Sequence, residues 1–301
     1  MTLLKILRTT ITTTILLLLA ITASRAEDED PSAADVSFVN FFHQPITLYW
    51  LDEDDNNHPI EVGILEPFES QHHTTFLGHQ FTYTIDEEPV VYIVTEEFDV
   101  HAMGVPASEQ VPVLCSTTQG DLHIAVKPTW SPLGAARFLD LISDEYFDGC
   151  ALNRVVRGFL TQFGISADYE QRTEYRKNTI PDDLPSGVEF EPGYMAYAGS
   201  GPNSRTTEMF IVMPDTPKTQ LQAFGDNPWE TAFAYVDPED VRDVVAKWYA
   251  MYGDMPPWGK GPDPQKIYAE DGYVYLKQEF PEMDYINSCW IVEEEEAEQE
   301  F

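Results

Sequence analysis

Residues 152–164 read Leu152-Asn153-Arg154-Val155-Val156-Arg157-Gly158-Phe159-Leu160-Thr161-Gln162-Phe163-Gly164. On residue types alone this stretch places a cation, Arg154, on an apolar-flanked strand of an acidic chain. That pattern describes an ordinary salt-bridge partner as well as a functional group. The block around it runs from about Leu114 to about Val292. Leu122, Ile124 and Val126 alternate as a strand. Ser131 is placed to cap a helix with Pro132 at its first position and Phe138, Leu139, Leu141 and Ile142 on one apolar face. A second helix is expected to open at Asp237-Pro238, to present Val241, Val244, Val245, Trp248, Tyr249 and Tyr252, and to stop at Gly253. The order strands, helix, strands, helix is not alternating βαβ. It fits a barrel or closed sheet plugged by helices.

Upstream, from about Val36 to Val100, apolar residues recur with period two: Val36 and Phe38, then Ile46, Leu48 and Trp50, then Phe81, Tyr83 and Ile85, then Val91 and Ile93. Asp54-Asp55-Asn56-Asn57, Pro67 and Gly78 interrupt them, so a small antiparallel β unit is expected over 36–100. Gly104, Pro106, Ser108 and Pro112 mark 101–112 as a linker.

Composition narrows the classes further. The chain has 301 residues, with 17 Lys plus Arg against 52 Asp plus Glu, and a net charge of -35. Such a charge argues against nucleic acid and against an anionic membrane face as partners. Residues 1–26 carry Lys5 and Arg8, an apolar run from Ile11 to Ala23, and Ser24-Arg25-Ala26, the pattern of a secretory signal cut after Ala26. The mature protein is therefore expected in the secretory pathway, secreted or resident in the endoplasmic reticulum lumen, with no membrane association once the signal is removed. Cys115, Cys150 and Cys289 form no CxxC unit. An oxidising compartment permits one pair among them, which the sequence leaves unassigned. Residues 293–301 read as a solvated acidic tail.

No P-loop, GxGxxG, HExxH or GxSxG occurs. His72-His73 and His79 lie near acidic residues but lack the spacing of a known ligand set, so no metal and no cofactor is expected.

The downstream block resembles a cyclophilin-type peptidyl-prolyl cis-trans isomerase. The resemblance rests on Thr118-Gln119-Gly120-Asp121-Leu122-His123-Ile124, on Arg137-Phe138-Leu139, on the 152–164 stretch, and on Gly193-Tyr194-Met195-Ala196-Tyr197-Ala198-Gly199-Ser200-Gly201-Pro202-Asn203-Ser204-Arg205-Thr206-Thr207-Glu208-Met209-Phe210-Ile211. It implies an eight-stranded β-barrel capped by two helices over 113–292, acting on X-Pro bonds of polypeptides. By the same resemblance Arg154 is the catalytic residue. Phe159, Leu160, Met209, Phe210 and Phe233 then form an apolar slot for the proline ring. Gln162 steadies the guanidinium or binds a substrate carbonyl, and Ala198, Gly199 and Ser200 hold the preceding residue. The chain departs from the family pattern at Asn153, Arg157, Phe163, Gly199 and Glu208. Glu208 is placed to pair with Arg154, blunting or steadying it. Pro228-Trp229-Glu230 aligns loosely with the family's later Trp and His, with Trp229 at the rim.

The upstream block resembles the β domain of the von Hippel–Lindau tumour suppressor family, on Val36-Ser37-Phe38-Val39-Asn40, Leu48-Tyr49-Trp50-Leu51, Gly63, Pro67 and Thr75-Phe76-Leu77-Gly78-His79-Gln80-Phe81. That resemblance implies a small β-sandwich with a pocket for 4-hydroxyproline at Trp50, Thr75, His79 and Phe81.

The expected protein is thus mainly β, a small β-sandwich followed by a cyclophilin-like barrel. It is expected to be an isomerase of prolyl polypeptides whose N-terminal module binds prolyl or hydroxyprolyl peptides. Two alternatives stay open at this point, a non-catalytic prolyl-peptide binder with a degenerate site and an acidic cation-binding matrix protein.

Overall fold

The computed structural model describes residues 32–292; the expected signal at 1–26 and the acidic tail at 293–301 lie outside the described residues. The upstream alternation folds as β1 (Ala33–Asn40), β2 (Ile46–Asp52), β3 (His58–Leu65), β4 (Ser70–Phe76), β5 (Gln80–Ile85), β6 (Glu88–Ile93) and β7 (Phe98–Met103). These strands make a three-stranded sheet, β4-β1-β7, and a four-stranded sheet, β3-β2-β5-β6. Because successive side chains on a strand face opposite ways, Val36 and Phe38 of β1 share a core with Ile46 and Leu48 of β2 and Phe81 and Tyr83 of β5. Val39, one residue on, points into the core of the downstream block with Phe41 and Phe68.

The segment expected as a linker at 101–112 is strand at its two ends, 101–103 and 111–112, around a loop at 104–110. His101, Ala102 and Met103 pair in parallel with Phe38, Val39 and Asn40, because Met103 is an apolar side chain with a place in the upstream core. Strand β8 (Val111–Thr117) then begins two residues before the expected boundary at 113. The upstream unit likewise starts at Ala33 rather than at Val36.

The remaining strands are β9 (Gly120–Val126), β10 (Cys150–Ala151), β11 (Arg154–Val155), β12 (Leu160–Phe163), β13 (Tyr194–Tyr197), β14 (Met209–Val212), β15 (Ala234–Val236) and β16 (Tyr285–Ile291). Together with β8 they form one curled nine-stranded sheet in the order β10-β16-β8-β9-β15-β13-β14-β12-β11. This corrects the expected eight-stranded closed barrel. The two edges, β10 and β11, are neighbouring pieces of one chain separated only by Leu152 and Asn153, and such pieces have no room to turn and pair with each other.

Six α-helices accompany the sheet among the described residues, not two: α1 (Pro132–Ser143), α2 (Tyr169–Tyr175), α3 (Lys218–Leu221), α4 (Pro238–Asp243), α5 (Pro264–Ile267) and α6 (Gly272–Glu279). The cap of α1 differs from expectation. Ser131 makes no cap bond of its own. Its hydroxyl donates to Asp183, and the Asp183 carboxylate accepts from the backbone N–H groups of Leu133 at 2.9 Å and Gly134 at 3.0 Å. The helix expected from Asp237 to Tyr252 is α4 followed by one 3-10 turn, Val245–Lys247. Beyond that turn the chain is diverted, because Arg157 Nη2 donates to the Trp248 carbonyl at 3.0 Å and the Tyr249 N–H donates to Asp284 at 2.6 Å.

Strands β8 and β16 pair antiparallel with Cys115 opposite Cys289, and these two form a disulfide. Cys150 is free and buried, and burial pushes its thiol up to about 12.

Candidate active site

Register places the site. Arg154 of β11 lies opposite Gln162 of β12, and Gln162 lies opposite Phe210 of β14. Directly opposed residues in antiparallel strands share a face, so the three form a row across the edge of the sheet. Leu160 and Phe210 belong, by parity, to an apolar cluster with Ala196, Ala232, Phe190 and Phe224. The row is kept close by Gly164. Its φ is +108°, and a Cβ there would meet the Thr207 carbonyl oxygen at 2.0 Å.

Arg154, Phe159, Leu160, Gln162, Ala198, Gly199, Ser200, Glu208 and Phe210 line one open groove of about 690 Å³. Met209 and Phe233, expected in the slot, are not there. Both point to the opposite face of the sheet and are fully buried in the main core, Phe233 against Phe138 and Tyr197. The cause is strand parity: Phe210 and Ala232, their sequence neighbours, take the groove-side cluster. Asn153 is buried beside the groove strand, 1% exposed. Trp229 lies against Gly199, and Glu230 reaches the groove wall.

The Arg154 guanidinium stands 5.3 Å from the centroid of the Phe159 ring. Nη1 donates to Gln162 Oε1 at 3.1 Å. Gln162 Nε2 donates to Glu208 Oε2 at 2.8 Å, and the Tyr268 hydroxyl donates to Glu208 Oε1 at 3.0 Å. Burial raises the Glu208 carboxyl above its usual range, opposed by those two donors. The Glu208 tyrosine partner lies with its ring under Arg176, 4.0 Å from guanidinium to centroid. Glu208 is therefore not the direct partner of Arg154, as the sequence allowed. That partner is Asp254, whose Oδ1 accepts from Nε at 2.8 Å and whose Oδ2 accepts from Nη2 at 3.3 Å.

Asp254, Tyr268 and Phe224 are site residues that sequence reasoning missed. Phe224 stacks on Phe159 (5.5 Å, 13° between planes) and on Phe210 (5.1 Å, 28°), forming the slot wall expected of Phe233. Leu221 and Phe224, two apolar residues three apart after Pro217, were its only sequence signal. Nothing local marks Asp254 or Tyr268.

Residues 113–257 match the sequence model of the family described as cyclophilin type peptidyl-prolyl cis-trans isomerase/CLD. These residues are a cyclophilin-type domain. The cyclophilin relatives include peptidyl-prolyl cis-trans isomerase-like 1 of Rhizopus delemar, 26% identical over 112 residues, which are 36% of this chain and 68% of that protein. Another is the peptidyl-prolyl isomerase CWC27 of Yarrowia lipolytica, 30% identical over 112 residues, 35% of this chain and 31% of that protein. Among solved structures, a Cryptosporidium parvum cyclophilin type peptidyl-prolyl cis-trans isomerase overlays with a TM-score of 0.42 at 17% identity, covering 61% of this chain and 98% of that one. The cyclophilin match ends at residue 257, so Tyr268 lies beyond it.

In the upstream unit, Thr75 Oγ1 and His79 Nδ1 are 2.9 Å apart, and the Trp50 and His79 rings are 5.5 Å apart. Phe81 is the cross-strand partner of Trp50, buried against Phe38 and His73. The Trp50 indole nitrogen is buried with no hydrogen-bond partner among the described residues.

Proposed function

We propose that the cyclophilin domain is an active peptidyl-prolyl cis-trans isomerase working on polypeptides in the secretory pathway, and that the upstream unit binds prolyl or hydroxyprolyl segments. Rotation about an X-Pro bond is opposed by amide resonance, with a barrier of ~18–20 kcal/mol. Twisting localises the lone pair on the prolyl nitrogen. A donor aimed at that nitrogen is therefore used most strongly in the twisted state, which is the requirement for catalysis. The observation that carries the reading is the row Arg154, Gln162, Phe210: a cation with two N–H groups unpartnered among the described residues, set beside an apolar slot made by Phe159, Leu160, Phe210 and Phe224. Arg suits the role because it stays charged and presents a rigid fork.

The Cys115–Cys289 disulfide supports an oxidising compartment, secreted or in the endoplasmic reticulum lumen. For the upstream unit, two sheets packed over one core support the reading as a β-sandwich similar to the von Hippel–Lindau β domain. Trp50, Thr75 and His79 offer an aromatic wall, a hydroxyl and an imidazole to a hydroxylated pyrrolidine, with Phe81 behind them. Tethering a prolyl chain there raises its effective concentration at the groove.

Proline-limited refolding tests the enzyme reading. Wild type is expected to accelerate the slow phase, and Arg154→Ala to lose about 10²-fold of that acceleration. Equal acceleration by both sinks the assignment. Calorimetry with matched proline and 4-hydroxyproline peptides tests the upstream unit, and binding unchanged by His79→Ala removes it. A second reading, a prolyl-peptide binder without turnover, is favoured by the carboxylate of Asp254 on Arg154. Peptide binding with no acceleration of refolding would select it.

A further inference from the structure

The chain leaves the curled sheet after Val236, and the segment after Tyr252 runs along the groove, which Met255, Pro256 and Asp263 help to line. Within it the chain closes on itself: the Gly261 N–H donates to the Asp254 carbonyl at 2.8 Å, and the Trp258 and Gly259 N–H groups donate to the Met255 carbonyl at 3.0 and 2.9 Å. Gly259 packs so tightly that a Cβ would lie 2.1 Å from the Asp254 carbonyl oxygen. The Asp254 carboxylate is fixed from its own side as well, accepting from the Met255 N–H at 2.7 Å. It is therefore presented by a closed loop rather than by a free side chain.

What it meets is the guanidinium of Arg154, through Nε and Nη2. The pair is mostly shielded from water, with 12% and 24% of the two side chains exposed. Gln162 takes a third N–H, on Nη1. Of the five N–H groups of an arginine, one on each terminal nitrogen is left without a partner among the described residues. A bidentate carboxylate fixes the plane and the azimuth of the fork. Gln162 by itself, through one bond to one terminal nitrogen, leaves the group free to rotate.

We infer that Asp254 is a positioning residue for the isomerase reaction, holding the Arg154 guanidinium so that its two remaining N–H groups face the prolyl nitrogen in the slot. The inference rests on the isomerase reading above and deepens it: the loop at 253–261 is part of the catalytic apparatus. A carboxylate there reduces the net charge felt by the substrate. The donor acts at hydrogen-bonding range, however, where orientation counts for more than net charge, and a displacement of about 1 Å at such a site costs on the order of 10² in rate.

Steady-state isomerisation of a prolyl peptide tests it, with wild type, Asp254→Ala, Asp254→Asn, Arg154→Lys and the double variant Asp254→Ala/Arg154→Lys, each first checked for a cooperative melt. Asp254→Ala is expected to lower kcat about 10²-fold with KM within about twofold. Asp254→Asn should recover part of the loss, because its carboxamide oxygen still accepts from Nε, and being isosteric it carries the test if the alanine variant does not fold. In the Arg154→Lys background, where no fork exists to be held, removing Asp254 should change kcat little further. An unchanged or higher kcat in Asp254→Ala overturns the inference and leaves the isomerase reading standing. So does an equal loss in both backgrounds, which would mean Asp254 acts only on folding. A wild-type protein no faster than buffer ends the isomerase reading and this inference with it.

Discussion

The base of the Trp229 side chain packs directly against Gly199: a Cβ built on Gly199 would sit 2.5 Å from both Cγ and Cδ1 of that indole. The near end of a tryptophan cannot swing aside as a long flexible chain can. Gly199→Ala is therefore expected to push Trp229 off the groove rim at a cost of about 1–3 kcal/mol in stability, the usual range for overpacking. Urea unfolding measures the cost. Because the Trp229 Cβ would itself lie 2.8 Å from the added methyl, Gly199→Ala should be nearly neutral in a Trp229→Gly background, and an equal cost in both backgrounds would place the strain elsewhere.

Asp183 serves three partners at once, the Ser131 hydroxyl, the first turn of α1 and the fully buried Arg205, whose Nη1 is 3.0 Å from Oδ2. Removing it strands a guanidinium in the core and leaves a helix end uncapped. Asp183→Ala should lose about 3–5 kcal/mol, the range for breaking one partner of a buried pair. A loss under 1 kcal/mol on chemical denaturation would show that Asp182, 3.7 Å from Arg205 Nε, suffices.

The disulfide joins positions separated by 174 residues. Replacing both Cys115 and Cys289 with Ala should lower stability by about 2–5 kcal/mol, chiefly by freeing the unfolded chain. Thiol titration checks the pairing. The native protein should show no reactive thiol, because Cys150 is buried and its ionisation is pushed up to about 12. After unfolding without reductant, one thiol should appear.

Two histidines in the upstream unit are held neutral. Burial lowers His73, helped by the neighbouring His72, and burial lowers His101 against the opposing pull of Asp99. Both pack on the Phe38 ring, and Tyr83 is 3.0 Å from His101 Nε2. Their folded-state values lie below the ordinary 6.5, so the unfolded chain takes up protons first as pH falls. The stability they contribute is fully present above about 6.5 and is lost as pH drops through the lowered values. Thermal melts between pH 7.5 and 4.5 should show a downward trend that shallows in His73→Phe. A slope unaffected by that change would assign the acid sensitivity to other groups.

Much of the groove was legible in the sequence because two of its stretches resemble motifs of a known family, although residue types alone left Arg154 an ordinary salt-bridge partner. Arg154, Phe159, Leu160, Gln162 and Phe210 came from two stretches, and the strand register gathers them. Met209 and Phe233 were misplaced by one residue each, since a motif names residue types but the parity of the pleat decides the face. Asp254 was not legible at all. It meets Arg154 across 100 residues of sequence, and no periodicity or spacing encodes such a meeting. The segment from Asp237 to Tyr252 misled for a related reason: apolar residues at helical intervals also suit a chain that bends repeatedly while keeping Val241, Val245 and Trp248 buried.

The three-stranded sheet β4-β1-β7 belongs to two cores. Phe38 of β1 faces the upstream one, while Val39 of β1, with Phe41 and Phe68 from the flanking loops, faces the one that contains α1. Severing the chain near Gly104 to obtain the cyclophilin part by itself would thus lay open an oily scar along that helix. Residues 33–103 are upholstery for the cyclophilin domain as much as a passenger on it, and the two halves should melt together.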